Sequence, residues 1–303
     1  MEELARIIIT LNELQNVWWK KISDFLNILW NSFVTGYEDS IKFFNTCILN
    51  WDIKWLKSVY DDSAISVAID RCNAIIDKSN SLWIKITTYA DKNYPIRFKR
   101  LDDYPLIIYS KGPIEELNER KNVAIIWTRE PTREWEKVSE WLWNTFSEAW
   151  FNIVSWLAKW CDTNAHRWAL LSRNWITTAI LWNWLDSIYP SENKNLSDEI
   201  LSSWWILLSE YPVWMAYTKW TLVARDRLQA WLSDMVIWVQ FWIKSWTIHA
   251  IEKAINLSIP AYAVKYSNEN SLWDKISWNL EYLRTWKLKE LTSNNVNEII
   301  SNS

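Results

Sequence analysis

FNIVSWLAKWCDTNAHRWALL, Phe151 to Leu171, decides the architecture. Phe151–Ser155 is a short apolar run of the kind buried inside a parallel sheet. From Asp162 or Thr163, either a good N-cap, the pattern turns helical. A strand that feeds a helix through a tight turn calls for glycine. Only glycine reaches positive φ without strain and lets backbone approach a ligand closely. This segment carries Trp156, Trp160 and Trp168 instead.

The anomaly is global. The chain has 28 Trp and 2 Gly in 303 residues. Ordinary glycine usage of ~7% predicts about 21 in a chain of this length. One reading removes both deviations: a glycine codon has been translated as tryptophan. Some bacterial lineages read UGA as glycine, whereas a common alternative code reads it as tryptophan. Most of the tryptophans are therefore expected to be glycine in the living protein, with Gly36 and Gly112 written in ordinary glycine codons. Trp51 and Trp55 lie in a region with no motif, and their identity stays open.

Either side of this segment, short buried runs recur at Val123–Ile126, Asn152–Ser155, Thr177–Leu181, Ile206–Ser209, Met235–Val239 and Ala261–Val264, with helical segments between most of them. Strands alternating with helices predict an α/β fold: an extended Rossmann-like, doubly wound, mostly parallel sheet with right-handed crossovers. Asn93–Gly112 reads as a linker and a preceding strand that extends the sheet. Residues 1–80 read as a small all-helical domain of helix-hairpin-helix or SAM-like type, with LQNVWWKKI (Leu14–Ile22) as its hairpin. Glycines in that hairpin would expose amides to a DNA phosphate, although the same hairpin also serves as a packing module. The expected domains are thus 1–80, 81–291 and a tail over 292–303.

Bulk properties limit the function. A net charge of −3 gives no global basic field, so a polyanion must be held by a local patch. Cys47, Cys72 and Cys161 are far apart, without CxxC spacing, as in a reduced cytoplasmic protein without a zinc site. No apolar stretch reaches membrane-spanning length and the first residues lack a signal pattern, so the expectation is a cytoplasmic chain with no membrane contact and no metal or cofactor.

Three segments carry candidate chemistry. After Val123–Ile126 come Trp127, Thr128 and Arg129, then Pro131, a good first helical residue. Free amides at a helix start beside an arginine make an anion site. Ser155–Asp162 gives a second strand-end turn, with Lys159 beside Trp156 and Trp160 and with Asp162 as helix cap. Lys219, Arg225 and Arg227 place three cations within nine residues around Trp220, as phosphate neutralisation requires. His166 on its helix reads as a packed residue more readily than as a general base.

With Trp read as Gly, these segments become VAIIGTREPT, IVSGLAKGCDTNAHRGALL, TAILGNGLDSIYPSEN, KGTLVARDRLQAGLSD and VIGVQFGIKSGTIHAIEKA. In that form the chain, from about Tyr94 to about Leu291, resembles the DprA (Smf) family of DNA-processing proteins. The family's glycines fall on Trp127, Trp156, Trp160, Trp168, Trp182, Trp184, Trp220, Trp231 and Trp246. The resemblance implies a protein that binds single-stranded DNA through Thr128, Arg129, Ser155, Lys159, Lys219, Arg225, Arg227 and loop amides. It also implies loading of the RecA recombinase onto incoming DNA in natural transformation, and a homodimer. Three departures stand out. Arg225-Asp226-Arg227 replaces the family's Arg-Asn-Arg, Leu222 replaces an aromatic, and Gln240 stands where many members have Glu. The alternative is a nucleotide-binding or nucleotide-hydrolysing Rossmann-like enzyme using Asp162, His166, Asp186 or Glu210, and its weakness is the lack of an activated nucleophile, Walker loop or GxGxxG turn.

Overall fold

The computed structural model describes residues 2–15, 17–49, 60–126, 133–155, 177–181, 184–186, 194–203, 205–215, 227–240, 248–266, 269–285 and 287–303. Four helices come first: α1 (Glu2–Glu13), α2 (Trp19–Trp30), α3 (Tyr37–Leu49) and α4 (Asp62–Ser81). Their apolar residues recur at helical spacing, and Ile8, Leu11, Ile22, Phe25 and Phe44 are buried between them. Asp61 caps α4 by accepting from the Ala64 amide.

A nine-stranded sheet follows, in the order β1-β2-β6-β5-β4-β3-β7-β8-β9. The strands are β1 (Lys85–Thr88), β2 (Ile107–Lys111), β3 (Asn122–Ile126), β4 (Asn152–Ser155), β5 (Thr177–Leu181), β6 (Ile206–Ser209), β7 (Met235–Trp238), β8 (Ala261–Val264) and β9 (Lys289–Leu291). β1 pairs antiparallel with β2 and β2 antiparallel with β6, while every other neighbouring pair is parallel. The helices after α4 are α5 (Glu116–Glu119), α6 (Arg133–Glu148), α7 (Lys194–Ser202), α8 (Ile248–Asn256), α9 (Glu269–Arg284) and α10 (Val296–Ser301). Residues 227–232 are also helical.

The apolar runs are continuous because both sheet faces are covered. On β3, Val123 and Ile125 join a core that includes Ile8, Phe25, Leu142 and Phe146. Ala124 and Ile126 join the opposite core, with Phe98, Leu228, Ile251 and Tyr282. This split by alternation puts the helical module, α6 and α10 on one face and α8 on the other, while α9 contributes Ile276 to the first core and Tyr282 to the second. Each fully buried aliphatic side chain contributes about 2 kcal/mol.

Polar side chains tie the amino ends of the central strands. Asn152 donates to the Asn122 side chain at 2.6 Å, and Thr178 donates to Asn152 at 3.1 Å. Asp234 accepts from the Asn122 amide at 2.9 Å and pairs with Arg97 at 2.8 Å. Gly112 has φ +95°, and a Cβ there would lie 2.0 Å from the Trp205 carbonyl oxygen, so no side chain fits.

The six buried strands expected from the sequence form as read, except that β3 begins one residue earlier, at Asn122, and Val239 follows β7 rather than ending it. The expected extending strand is β2. Edge strands β1 and β9 add to that reading. Residues 292–303 contain α10, with Val296 buried, where a tail was expected. Among the described residues, the positive-φ positions outside glycine are Trp83, Trp150, Trp214 and Ser258.

Candidate nucleic-acid interface

The chain leaves β3, passes through β4, β5 and β6 on one side, and returns to β7 on the other side of β3. This makes β3/β7 the switch point, and ligands of doubly wound sheets sit outside the carboxyl ends of the strands there. The strand ends in that row are Ser209, Leu181, Ser155, Ile126 and Trp238. At parallel-strand spacing, the five ends span about 19 Å.

Each expected contact segment leaves from this row. Trp127, Thr128 and Arg129 follow β3; Trp156, Lys159 and Trp160 follow β4; Trp182 follows β5; Lys219, Trp220 and Arg225 lie between β6 and the helix at 227–232. All of these lie outside the described residues, as do Asp162, His166, Trp168 and Trp246. Ser155 is described. It ends β4 in register with Ala179 and is 1% exposed, so its hydroxyl is not on open surface.

Arg227 is also described, and it is engaged. Its guanidinium donates to both carboxylate oxygens of Glu210, at 2.6 and 2.9 Å, and to the Asp103 carbonyl at 3.0 Å. The guanidinium carbon also lies 5.2 Å from the Trp231 ring centroid. The side chains of the pair are only 14% and 16% exposed. Burial pushes the Glu210 carboxyl up, and the neighbouring Arg227 pulls it back. Both bonds come from Nη2, one nitrogen shared by the two carboxylate oxygens, and this charge-assisted pair is a clamp that joins the residue after β6 to the helix at 227–232. Glu210 is thereby occupied and is not a free acid or base.

Asp186, another acid of the enzymatic alternative, lies in the turn after β5. Its carboxyl is raised by burial and drawn back by its own backbone hydrogen bond, Lys78 and Lys111. Among the described residues no group of His, Cys, Asp and Glu has the arrangement of a metal site. No described helix is long and apolar enough to cross a membrane.

A residue the sequence did not single out supports the centre of the row. Gln229 is 1% exposed, and its amide donates to the carbonyls of Val154 at 2.9 Å and Ile125 at 3.3 Å. Both carbonyls sit one residue before a strand end, so Gln229 links β3 and β4 where the Arg129 and Lys159 segments depart. A polar residue in a run of otherwise ordinary helix composition gives no sequence signal for this. At β7, Asn279 and Tyr266 donate to the Val239 carbonyl at 2.9 and 3.1 Å, fixing the chain as it leaves the strand.

Residues 85–276 match the DNA recombination-mediator protein A family, covering the sheet from β1 to within α9. The chain belongs to that family. The DNA processing protein DprA of Bacillus subtilis is 30% identical over 175 residues, 58% of this chain and 58% of the relative. That of Streptococcus pneumoniae is 31% identical over 188 residues, 61% and 64% of the two chains. The matched region spans less than two thirds of these relatives. In structure the chain is similar to S. pneumoniae DprA, with a TM-score of 0.75 at 24% identity, over 96% of this chain and 95% of that one. It is also similar to Helicobacter pylori DNA processing protein A, with a TM-score of 0.62 at 25% identity, over 72% and 96%. The H. pylori structure is described in terms of a single-stranded DNA binding mode. The family's Rossmann-like fold is thus the fold of this chain, as the sequence resemblance implied.

Proposed function

We propose that the protein binds single-stranded DNA along the row of strand ends from β6 to β7. Arg129, Lys159, Lys219 and Arg225 take backbone phosphates, while Thr128 and turn amides set the register; the buried Ser155 ends β4 and takes no phosphate itself. One observation carries this reading. Cationic segments separated by up to about ninety residues in sequence all leave the same edge of one sheet. The β6 and β3 ends, after which the Lys219 and Arg129 segments follow in sequence, are three strand spacings apart, about 14 Å. That span suits successive phosphates of a strand better than one mononucleotide. The single-stranded DNA binding mode of the H. pylori relative supports single-stranded DNA as the ligand. Phosphate capture of this kind reads little sequence and weakens with salt.

On this reading the protein acts as a binder without turnover, in the cytoplasm, as a homodimer. It coats incoming single strands and loads the RecA recombinase in natural transformation. Two copies would present two rows to one strand and gain affinity through avidity.

The test is fluorescence anisotropy of labelled oligonucleotides of increasing length, single-stranded and duplex, with unlabelled nucleotides as competitors. Affinity that grows with strand length and prefers single strands is the expected result. Binding saturated by a mononucleotide would replace this reading with a nucleotide pocket.

A further inference from the structure

The left-handed positions of the backbone lead to a conclusion about what the residues themselves are. Among the described residues, six have positive φ: Gly36, Gly112, Trp83, Trp150, Trp214 and Ser258. Both glycines of the chain are in this set, and three of the other four members are tryptophan. With 28 Trp among 303 residues, chance does not concentrate them there. A bulky side chain at φ near 60° is a steric outlier, because its Cβ crowds the following carbonyl.

Hydrogen bonding shows what two of these positions do. After α4, the Trp83 amide donates to Asn80 O at 3.1 Å and the Ile84 amide to Ser79 O at 2.9 Å. After α6, the Trp150 amide donates to Ser147 O at 2.9 Å and the Phe151 amide to Phe146 O at 3.0 Å. Each pair is the 5→2 and 6→1 bonding of a Schellman cap, which places Trp83 and Trp150 at the C′ site that glycine ordinarily fills. Trp214 has φ 64° in the turn after Pro212. Their side chains offset little of this strain: Trp83, Trp150 and Trp214 are 88%, 62% and 56% exposed, with the Arg120 guanidinium over the Trp150 ring at 5.2 Å. Strained backbone, a glycine-type cap and a large apolar ring held in water coincide at the same residues.

We propose that the protein made in its own cells carries glycine at positions 83, 150 and 214, the codon there being read as glycine rather than tryptophan. A code assignment acts on the codon and not on the position. Every tryptophan written with that codon is then glycine too, and the strand-end positions 127, 156, 160, 182 and 220 become glycine wherever they share it. This conclusion rests on the backbone and is independent of what the site binds.

The direct test is tandem mass spectrometry of the protein isolated from its native cells. The tryptic peptide SNSLWIK, Ser79–Lys85, contains a single position in question. A glycine residue mass at 83 is expected, and a tryptophan residue mass there overturns the proposal. A second readout needs only recombinant protein. The triple variant Trp83→Gly/Trp150→Gly/Trp214→Gly is compared with the chain as written. Relief of three strained positions predicts a melting temperature higher by about 10 °C. An unchanged or lower value contradicts the claim that these sites are glycine sites.

Discussion

Arg227 Nη2 donates to both carboxylate oxygens of Glu210, at 2.6 and 2.9 Å, in an ion pair that closes the base of the segment carrying Lys219 and Arg225. The sequence placed Arg227 among the phosphate ligands. Its guanidinium is instead spent on Glu210 and Asp103, so its contribution to binding passes through the position of the segment it anchors. Removing Glu210 leaves the largely buried Arg227 with Asp103 alone, and removing Arg227 leaves the Glu210 carboxylate buried without its cation. Glu210→Ala is expected to lower stability by about 3 kcal/mol, and the double variant Glu210→Ala/Arg227→Ala by less than the sum of the singles. Chemical denaturation of the three proteins measures this. Additive losses would mean that the pair contributes no coupling.

Gln229 has a similar structural role at the centre of the row. Gln229→Leu leaves the Val154 and Ile125 carbonyls without that donor, at a cost of about 1–3 kcal/mol. Because those carbonyls lie beside the departures of the Arg129 and Lys159 segments, single-strand affinity should fall along with stability. Retained affinity in a folded variant would show that the strand ends hold their positions without it.

Alkaline pH reports on the two cores. Tyr94 and Tyr109 have hydroxyls whose ionisation is pushed well above the ordinary range, first by burial and then by neighbouring groups such as Glu210 near Tyr94 and Cys72 near Tyr109. The unfolded chain ionises its tyrosines near pH 10, and these two do not ionise in the fold. Their contribution is therefore complete below about pH 10 and is lost as pH rises above it. Denaturation midpoints that fall between pH 9.5 and 11.5, as rough limits, and less steeply for Tyr94→Phe, are the expected observation.

Salt dependence separates ligands from supports. Arg129→Ala should flatten the slope of log affinity against log salt by about one phosphate equivalent. Glu210→Gln should leave the slope close to the parent value, because no phosphate contact is removed. A Glu210→Gln slope as flat as that of Arg129→Ala would place the clamp in direct contact with DNA.

The central strands were legible because burial on both faces favours apolar runs, as in Val123–Ile126 and Met235–Val239. Edge strands β1 and β9 were not legible. Lys85–Thr88 and Lys289–Leu291 are short, and each exposes its first residues, so neither carries an apolar run or a clean alternation. At the site, the residue types and their strand-end location could be read from turn chemistry. The pairing of Arg227 with Glu210 could not, because seventeen residues separate them and composition does not distinguish a clamp from a ligand. Gln229 was silent for the same reason, since its role is set by two carbonyls that only the folded sheet brings together.

The most direct test of the account is anisotropy of labelled single-stranded DNA with the parent protein and the Arg129→Ala/Lys219→Ala variant at several salt concentrations. The account predicts salt-sensitive, single-strand-preferring binding by the parent and loss of at least tenfold in affinity by the folded variant, about 1.4 kcal/mol or more. Equal binding by both proteins would contradict the placement of the DNA along the strand ends.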